Sequence, residues 1–296
     1  MTSLLGDSLA LGGHWLYNQD EIAAQIGPEL RLSAPLSRYH PGKGPGDHTH
    51  YGDQTLILLE SVVSQGTFDP EDFLQSWRAY WADPDTLSYR DGATRTTLAN
   101  LAQGTAPSEA GSASSDIAGA ARIGPLFLLE WENADALAKA ARAQTALTHN
   151  HAAVMEAADF FARVTLKVAD GMPVPTALAT VADEGAWETL SPWWDAARAS
   201  AADTGLGDTE AALHHGQSCA VDGAFPLICH LLLRYPDDAI AGWSANQMAG
   251  GDTAARALLM GLVYGARPDA PPLPADWLTT WTARPQVEAA ARALAN

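Results

Sequence analysis

The chain of 296 residues is 47% hydrophobic and carries 35 acidic against 17 basic residues, a formal charge of −18. That length and apolar content can bury a large core, and a single domain over 1–296 is expected. The acidic balance, with no basic cluster to offset it, disfavours nucleic acid and anionic membrane as partners, and no apolar run is long enough to span a bilayer.

The opening MTSLLGDSLALGGHW has neither a basic n-region nor a cleavage site, so no signal peptide is expected. Between about 27 and 52 the chain reads GPELRLSAPLSRYHPGKGPGDHTHYG, with four prolines that rule out a continuous helix. A loop of that length in a compact domain is usually functional or mobile; this one reads either as a polar surface loop or as a functional one, and it holds His40, Lys43, Asp47, His48, His50 and Tyr51. Elsewhere apolar residues recur at three and four positions, which predicts helices over 54–65, 70–81, 115–130, 134–147, 151–169, 173–186, 219–234, 236–248, 252–265 and 285–295. Asp69-Pro70-Glu71-Asp72 supplies a cap, a first-turn proline and first-turn acids, and Pro236-Asp237-Asp238 repeats that pattern. Segments 104–114 and 266–274 read as loops. Cys219 and Cys229 lie ten residues apart in a predicted helix. They read as reduced thiols, not as a disulfide framework or a zinc site, which points by elimination to the cytoplasm. The fold class expected is all-α.

Three segments in this order carry a resemblance. Gly6-Asp7-Ser8-Leu9-Ala10-Leu11-Gly12, Ser114 to Leu126 with Arg122 before Pro125-Leu126, and Gly250-Gly251-Asp252-Thr253 with Gly261 and Gly265 resemble successive signatures of the ADP-ribosylglycohydrolase superfamily. Leu147-Thr148-His149 fits the family's Thr-His position between them. The resemblance implies an orthogonal multi-helix bundle. It also implies two magnesium ions and hydrolysis of a glycosidic bond to ADP-ribose or a related group. The implied partner is therefore an ADP-ribose-like small molecule or an ADP-ribosylated substrate.

The implied ligand segments are eroded. Gly52-Asp53-Gln54-Thr55 stands where the family has Thr-Asp-Asp-Thr, and Asp252-Thr253-Ala254-Ala255 where it has Asp-x-Asp-Thr. Two magnesium ions held close together need several hard oxygen ligands, so no magnesium pair is expected, and at most one weakly held Mg2+ between Asp53 and Asp252. The departures resemble the J1-crystallin-like branch, through His14-Trp15-Leu16-Tyr17, His50-Tyr51-Gly52-Asp53-Gln54 and Gly250-Gly251-Asp252-Thr253-Ala254-Ala255-Arg256.

Each candidate also has a plain structural reading. Asp53 and Asp252 stand at predicted helix starts and could simply cap them. Arg256, at i+4 from Asp252, forms a helix salt bridge or binds an anion. His14, Trp15 and Tyr17 are core or ligand wall. His48 and His50 with His40 are solvated or hold a borderline metal. The functional reading gathers these residues into one cleft. Asp53 or Asp252 serves as base or orienter and His50 as an acid–base group. His14, Tyr17, His40, His48, Gln54, Thr253 and Arg256 contact ligand. The alternative, from another class, is a non-catalytic ADP-ribose-like binder or a crystallin-like structural protein.

Overall fold

The computed structural model describes residues 1–294. Among them are sixteen α-helices, one 3-10 turn and no strand. Bridge pairing is confined to Ser112 with His149 and Asp116 with Ala220. The chain runs through α1 (Thr2–Ala10) and α2 (Gln19–Gln25), then a non-helical stretch to α3 (His50–Gln65). α4 (Pro70–Ala82), α5 (Gly92–Ala102) and the single turn α6 (Ala118–Ala121) follow. Next come α7 (Ala134–Ala146), α8 (Ala152–Ala169), α9 (Val174–Glu184), α10 (Ser191–Ala202), α11 (Asp208–His215) and α12 (Val221–Arg234). The chain closes with α13 (Ala239–Ala249), α14 (Thr253–Gly265), α15 (Ala275–Thr280) and α16 (Arg284–Leu294). None of these helices is long and apolar enough to cross a membrane.

The centre of the bundle is α14, buried from Thr253 through Tyr264. It touches α1, α3, α6, α8, α12 and α13. Against it lies α1, itself buried from Ser3 to Ala10. Small residues allow that approach: a Cβ on Gly6 would stand 2.6 Å from the Ala257 carbonyl oxygen, and one on Gly261 would stand 2.7 Å from that of Thr2. A helix buried on all sides needs apolar residues all round, and TAARALLMGLVYG meets this with Arg256 as the exception.

The expected start at Asp69-Pro70 is observed, with the Asp69 carboxylate accepting from Glu71 N and Asp72 N. Several expected bounds shift, and the helix expected from 219 begins at Val221, leaving Cys219 ahead of it. The continuous helix over 115–130 is instead α6 and a 3-10 turn at Gly124–Leu128. Gly119 fits tightly against the His149 ring, and Pro125 removes a backbone donor that a longer helix needs. The helix expected from 54 begins at His50, because Thr49 caps it by accepting from Tyr51 N; Asp53 therefore lies inside the first turn and is not a cap. The helix expected from 236 begins at Ala239, capped by Asp238. That expected over 285–295 is seen as Arg284–Leu294, position 295 lying outside the described residues.

Candidate functional site

The site forms where the turn after α1 meets the entry to α14. Gly250 and Gly251 have φ of 69° and 71°, a left-handed pair that glycine adopts without a Cβ penalty. They turn the chain sharply enough that Gly251 N donates to Leu16 O at 2.6 Å and Trp15 N donates to Gly251 O at 2.8 Å. Trp15 itself has φ 65°, a costly conformation for a bulky residue, and one that persists only where the surroundings over-determine it.

This junction delivers Asp252 to the start of α14, where Oδ1 caps the helix by accepting from Ala255 N at 3.3 Å. Its other oxygen accepts from the Tyr51 hydroxyl at 2.8 Å and from Trp15 Nε1 at 3.4 Å. The Tyr51 hydroxyl also lies 3.3 Å from Asp116 Oδ2, and Asp116 Oδ1 accepts from Ala118 N at 2.9 Å. Carboxyl oxygens of Asp116 and Asp252 and the Cys219 sulfur lie within 4.8 Å of one another. Burial, then the charge of Asp252, pushes the Asp116 carboxyl well above the ordinary carboxylate range. Burial raises Asp252 as well, opposed by the Tyr51 hydrogen bond and by Arg256. Two acids this close in a buried site do not both ionise readily, and the upward push is the stronger at Asp116. Tyr17, half-exposed, has its phenol pushed up to about 12 by partial burial and by the charge of Asp252.

Beside the carboxyl pair stand three buried imidazoles, His14, His40 and His50, each offering a nitrogen within 4.8 Å of the others. Trp15 stacks on His14 and on His40 with ring centroids 4.5 and 5.4 Å apart. Tyr39 and Tyr89 meet the Trp15 indole edge-on. His50 Nε2 lies 3.3 Å from Asp91 Oδ2, off the line of a hydrogen bond, so that carboxylate oxygen and both His50 nitrogens are left without a hydrogen-bond partner among the described residues. Burial, then the His40 and His50 charges, holds the His14 ring well below its ordinary value. Burial brings His40 to about 3.

Several residues expected in the cleft are engaged elsewhere. The Asp53 carboxylate is taken by Lys43 Nζ at 2.7 and 2.9 Å, by the Tyr80 hydroxyl at 3.2 Å and by Ser88 Oγ. His48 donates from Nδ1 to Asp7 at 3.1 Å, because its Nε2 must accept from Trp281 Nε1 at 2.9 Å. It links α1 to the α15–α16 junction and is not a ligand wall. Gln54 accepts from Trp77 Nε1 and Arg122 Nη1 and donates to His50 O. Arg256 does not form the expected hydrogen-bonded pair with Asp252: it donates to Asn246 Oδ1 at 2.7 Å and to the carbonyls of Gln217 and Gly250. It thereby holds the turn that carries Asp252. Thr253 is buried beside Asp252, its hydroxyl without a hydrogen-bond partner among the described residues.

This donor set does not fit a magnesium pair. Magnesium requires near-octahedral oxygen coordination. Asp53 is neutralised by Lys43, Asp252 is occupied by the Tyr51 and Trp15 donors, and Gly52, Ala254 and Ala255 contribute no side-chain oxygen.

Sequence reasoning missed Asp116, Asp91 and the pivotal role of the Tyr51 hydroxyl. Asp116 and Asp91 do accept from nearby backbone amides, Ala118 N and Thr94 N, so in sequence they look like ordinary turn and cap residues. An apolar cleft of about 400 Å³ lies apart from the site, lined by Leu59, Pro125, Phe127, Leu262 and Val287, and among the described residues no carboxyl or imidazole lines it.

The comparisons agree with this architecture. A solved structure described as an ADP-ribosylglycohydrolase-related protein complex superposes with a TM-score of 0.71 over 99% of this chain and 94% of that one, at 24% identity. No curated protein matches the chain. The sequence pattern of the family described as ADP-ribosylglycohydrolase matches residues 1–296, and with its glycine turns and Asp252 at the entry to α14, the chain belongs to that family.

Proposed function

We propose that the protein hydrolyses a glycosidic bond, ADP-ribosyl or closely related, using Asp116 and Asp252 joined through Tyr51. The observation that carries this reading is the Tyr51 hydroxyl standing 2.8 Å from one buried carboxyl and 3.3 Å from the other. A phenol has one proton to donate. Donated to Asp252, it leaves the phenol oxygen to accept from a protonated Asp116. Glycoside hydrolysis needs an acid for the leaving group and a carboxylate for water or for the sugar cation. Asp116 supplies the proton and Asp252 the negative charge. Half-exposed Tyr17 provides an aromatic face for a nucleoside-like group. Asp53, committed to Lys43, takes no part, and His50 stands behind the pair.

Family membership favours a hydrolase, whereas the near-complete burial of Asp252 favours the second reading, a binder of the same ligand class without turnover. Release of free ADP-ribose from an ADP-ribosylated protein separates the two. Turnover that disappears in Asp116→Asn and Asp252→Asn establishes the hydrolase. ADP-ribose binding with no release from any ADP-ribosylated substrate establishes the binder. The crystallin-like structural role is left if neither is seen.

A further inference from the structure

We propose that His14, His40 and His50 form a nitrogen-ligated site for one divalent transition-metal ion of the zinc class, distinct in ligands and position from a carboxylate-held magnesium pair. Buried polar groups are nearly always hydrogen-bonded, yet His14 Nε2 and both nitrogens of His40 and His50 have no partner among the described residues. All three rings are essentially without solvent exposure. One nitrogen of each ring converges within 4.8 Å of the others in one buried volume, and such a set calls for a shared partner.

The geometry is near that of a metal site. The ring centroids are 5.4 Å apart for His14–His40, 5.7 Å for His40–His50 and 6.2 Å for His14–His50. Each residue offers a nitrogen within 4.8 Å of the other two. Imidazole nitrogens bound tetrahedrally to zinc at about 2.0–2.1 Å stand roughly 3.3–3.5 Å apart. Imidazole suits zinc, copper, iron and nickel, and magnesium poorly. Three protein ligands leave a fourth position for water or a substrate oxygen.

One of the rings, His50, has what metal-bound histidines normally have, a carboxylate near the far nitrogen. His50 has Asp91 Oδ2 at 3.3 Å from Nε2, leaving Nδ1 for the ion. His14 Nδ1 accepts from Ala254 N at 3.4 Å and lies 4.0 Å from Asp252 Oδ1, while Nε2 is the nitrogen left without a partner among the described residues. The same Asp252 accepts from Tyr51, so an ion here would be coupled to the carboxyl pair through one residue. His48, by contrast, has both nitrogens partnered, by Asp7 and Trp281, and stands outside the set.

The test uses the full chain, stripped with a chelator and titrated with Co2+, then with Zn2+ in competition. Expected are one equivalent of cobalt, a visible d–d band that zinc abolishes, and X-ray absorption of the zinc-loaded protein showing three imidazole nitrogens at about 2.0–2.1 Å. His40→Ala, checked for native helicity by circular dichroism, should weaken binding at least about tenfold. His214→Ala, which alters an exposed ring, should leave it unchanged. No saturable cobalt band, a spectrum lacking imidazole nitrogens, or a folded His40→Ala variant binding as tightly as the parent would overturn the site. These readouts do not depend on turnover: metal binding without hydrolysis supports this inference while removing the proposed hydrolase.

Discussion

The hydroxyl of Tyr51 lies 2.8 Å from Asp252 Oδ2, and it is the shortest link that carboxylate makes to a side chain. The two residues are 201 positions apart in sequence. The first turn of α3 and the cap of α14 are thus fastened to each other at the point where the site's charge lies.

Tyr51→Phe keeps the ring and removes that donor. Asp252 would retain only the longer Trp15 and backbone contacts. A buried acceptor left short of partners costs about 1–3 kcal/mol. Urea unfolding should show a loss in that range, and turnover should fall by roughly 10²-fold or more, as expected when a proton-transfer path is broken. Unchanged turnover at reduced stability would make Tyr51 a structural brace only.

Asp53→Asn should leave turnover and ligand binding close to wild type. Its carboxylate is held by Lys43, Tyr80 and Ser88, so the variant loses a partly buried ion pair. A double-mutant cycle with Lys43→Met should give a coupling of about 1 kcal/mol. Activity abolished at unchanged stability would return Asp53 to the chemistry.

Asp208 gives a pH-dependent signature away from the site. Burial alone would raise its carboxyl, but hydrogen bonds from His230 Nε2 at 3.1 Å and the Tyr235 hydroxyl at 2.6 Å outweigh it and hold the group below its ordinary value. A depressed carboxyl contributes stability that is complete above the unfolded-state value, about pH 4, and is lost as pH falls through the folded-state value. The stability gap between wild type and Asp208→Asn should therefore be widest at pH 7 and close in acid. A gap constant from pH 7 to pH 3 would mean that the carboxylate's charge contributes nothing there.

Gly6→Ala probes the helix contact beneath the site. The added methyl meets the Ala257 carbonyl at 2.6 Å, and backbone cannot yield as a side chain can. Overpacking of this kind costs about 1–3 kcal/mol, which would outweigh the gain in helix propensity of about 1 kcal/mol. A thermal midpoint equal to or above wild type would show that α1 and α14 are less tightly apposed.

The helical architecture was legible because it rests on periodicity and caps, which are local. Asp69 with Pro70 announces α4, and Asp252 caps α14, as the sequence indicates. The gaps arise where two local signals compete or where distant segments meet. Thr49, not Asp53, caps α3, although both are good cap residues. His14 and His48 look alike in sequence, yet His14 Nε2 has no partner among the described residues and His48 is locked between Asp7 and Trp281. The partnership of Asp116 with Asp252 depends on a phenol from α3, and no spacing rule within either segment encodes it.

The pairing of Trp15 with Gly251, and of α1 with α14 beside it, has a consequence for synthesis. α1 is made roughly 250 residues ahead of the helix that covers its apolar face. At the usual pace of about 5–20 residues per second, it waits on the order of ten seconds or longer. During that interval Leu4, Leu5 and Leu9, buried in the finished bundle, have no native surface to bury against on α14. The nascent chain therefore presents a short greasy helix to whatever waits at the ribosome exit. Slowing translation ahead of residue 253 should raise its capture by chaperones more than the same pause placed after residue 265.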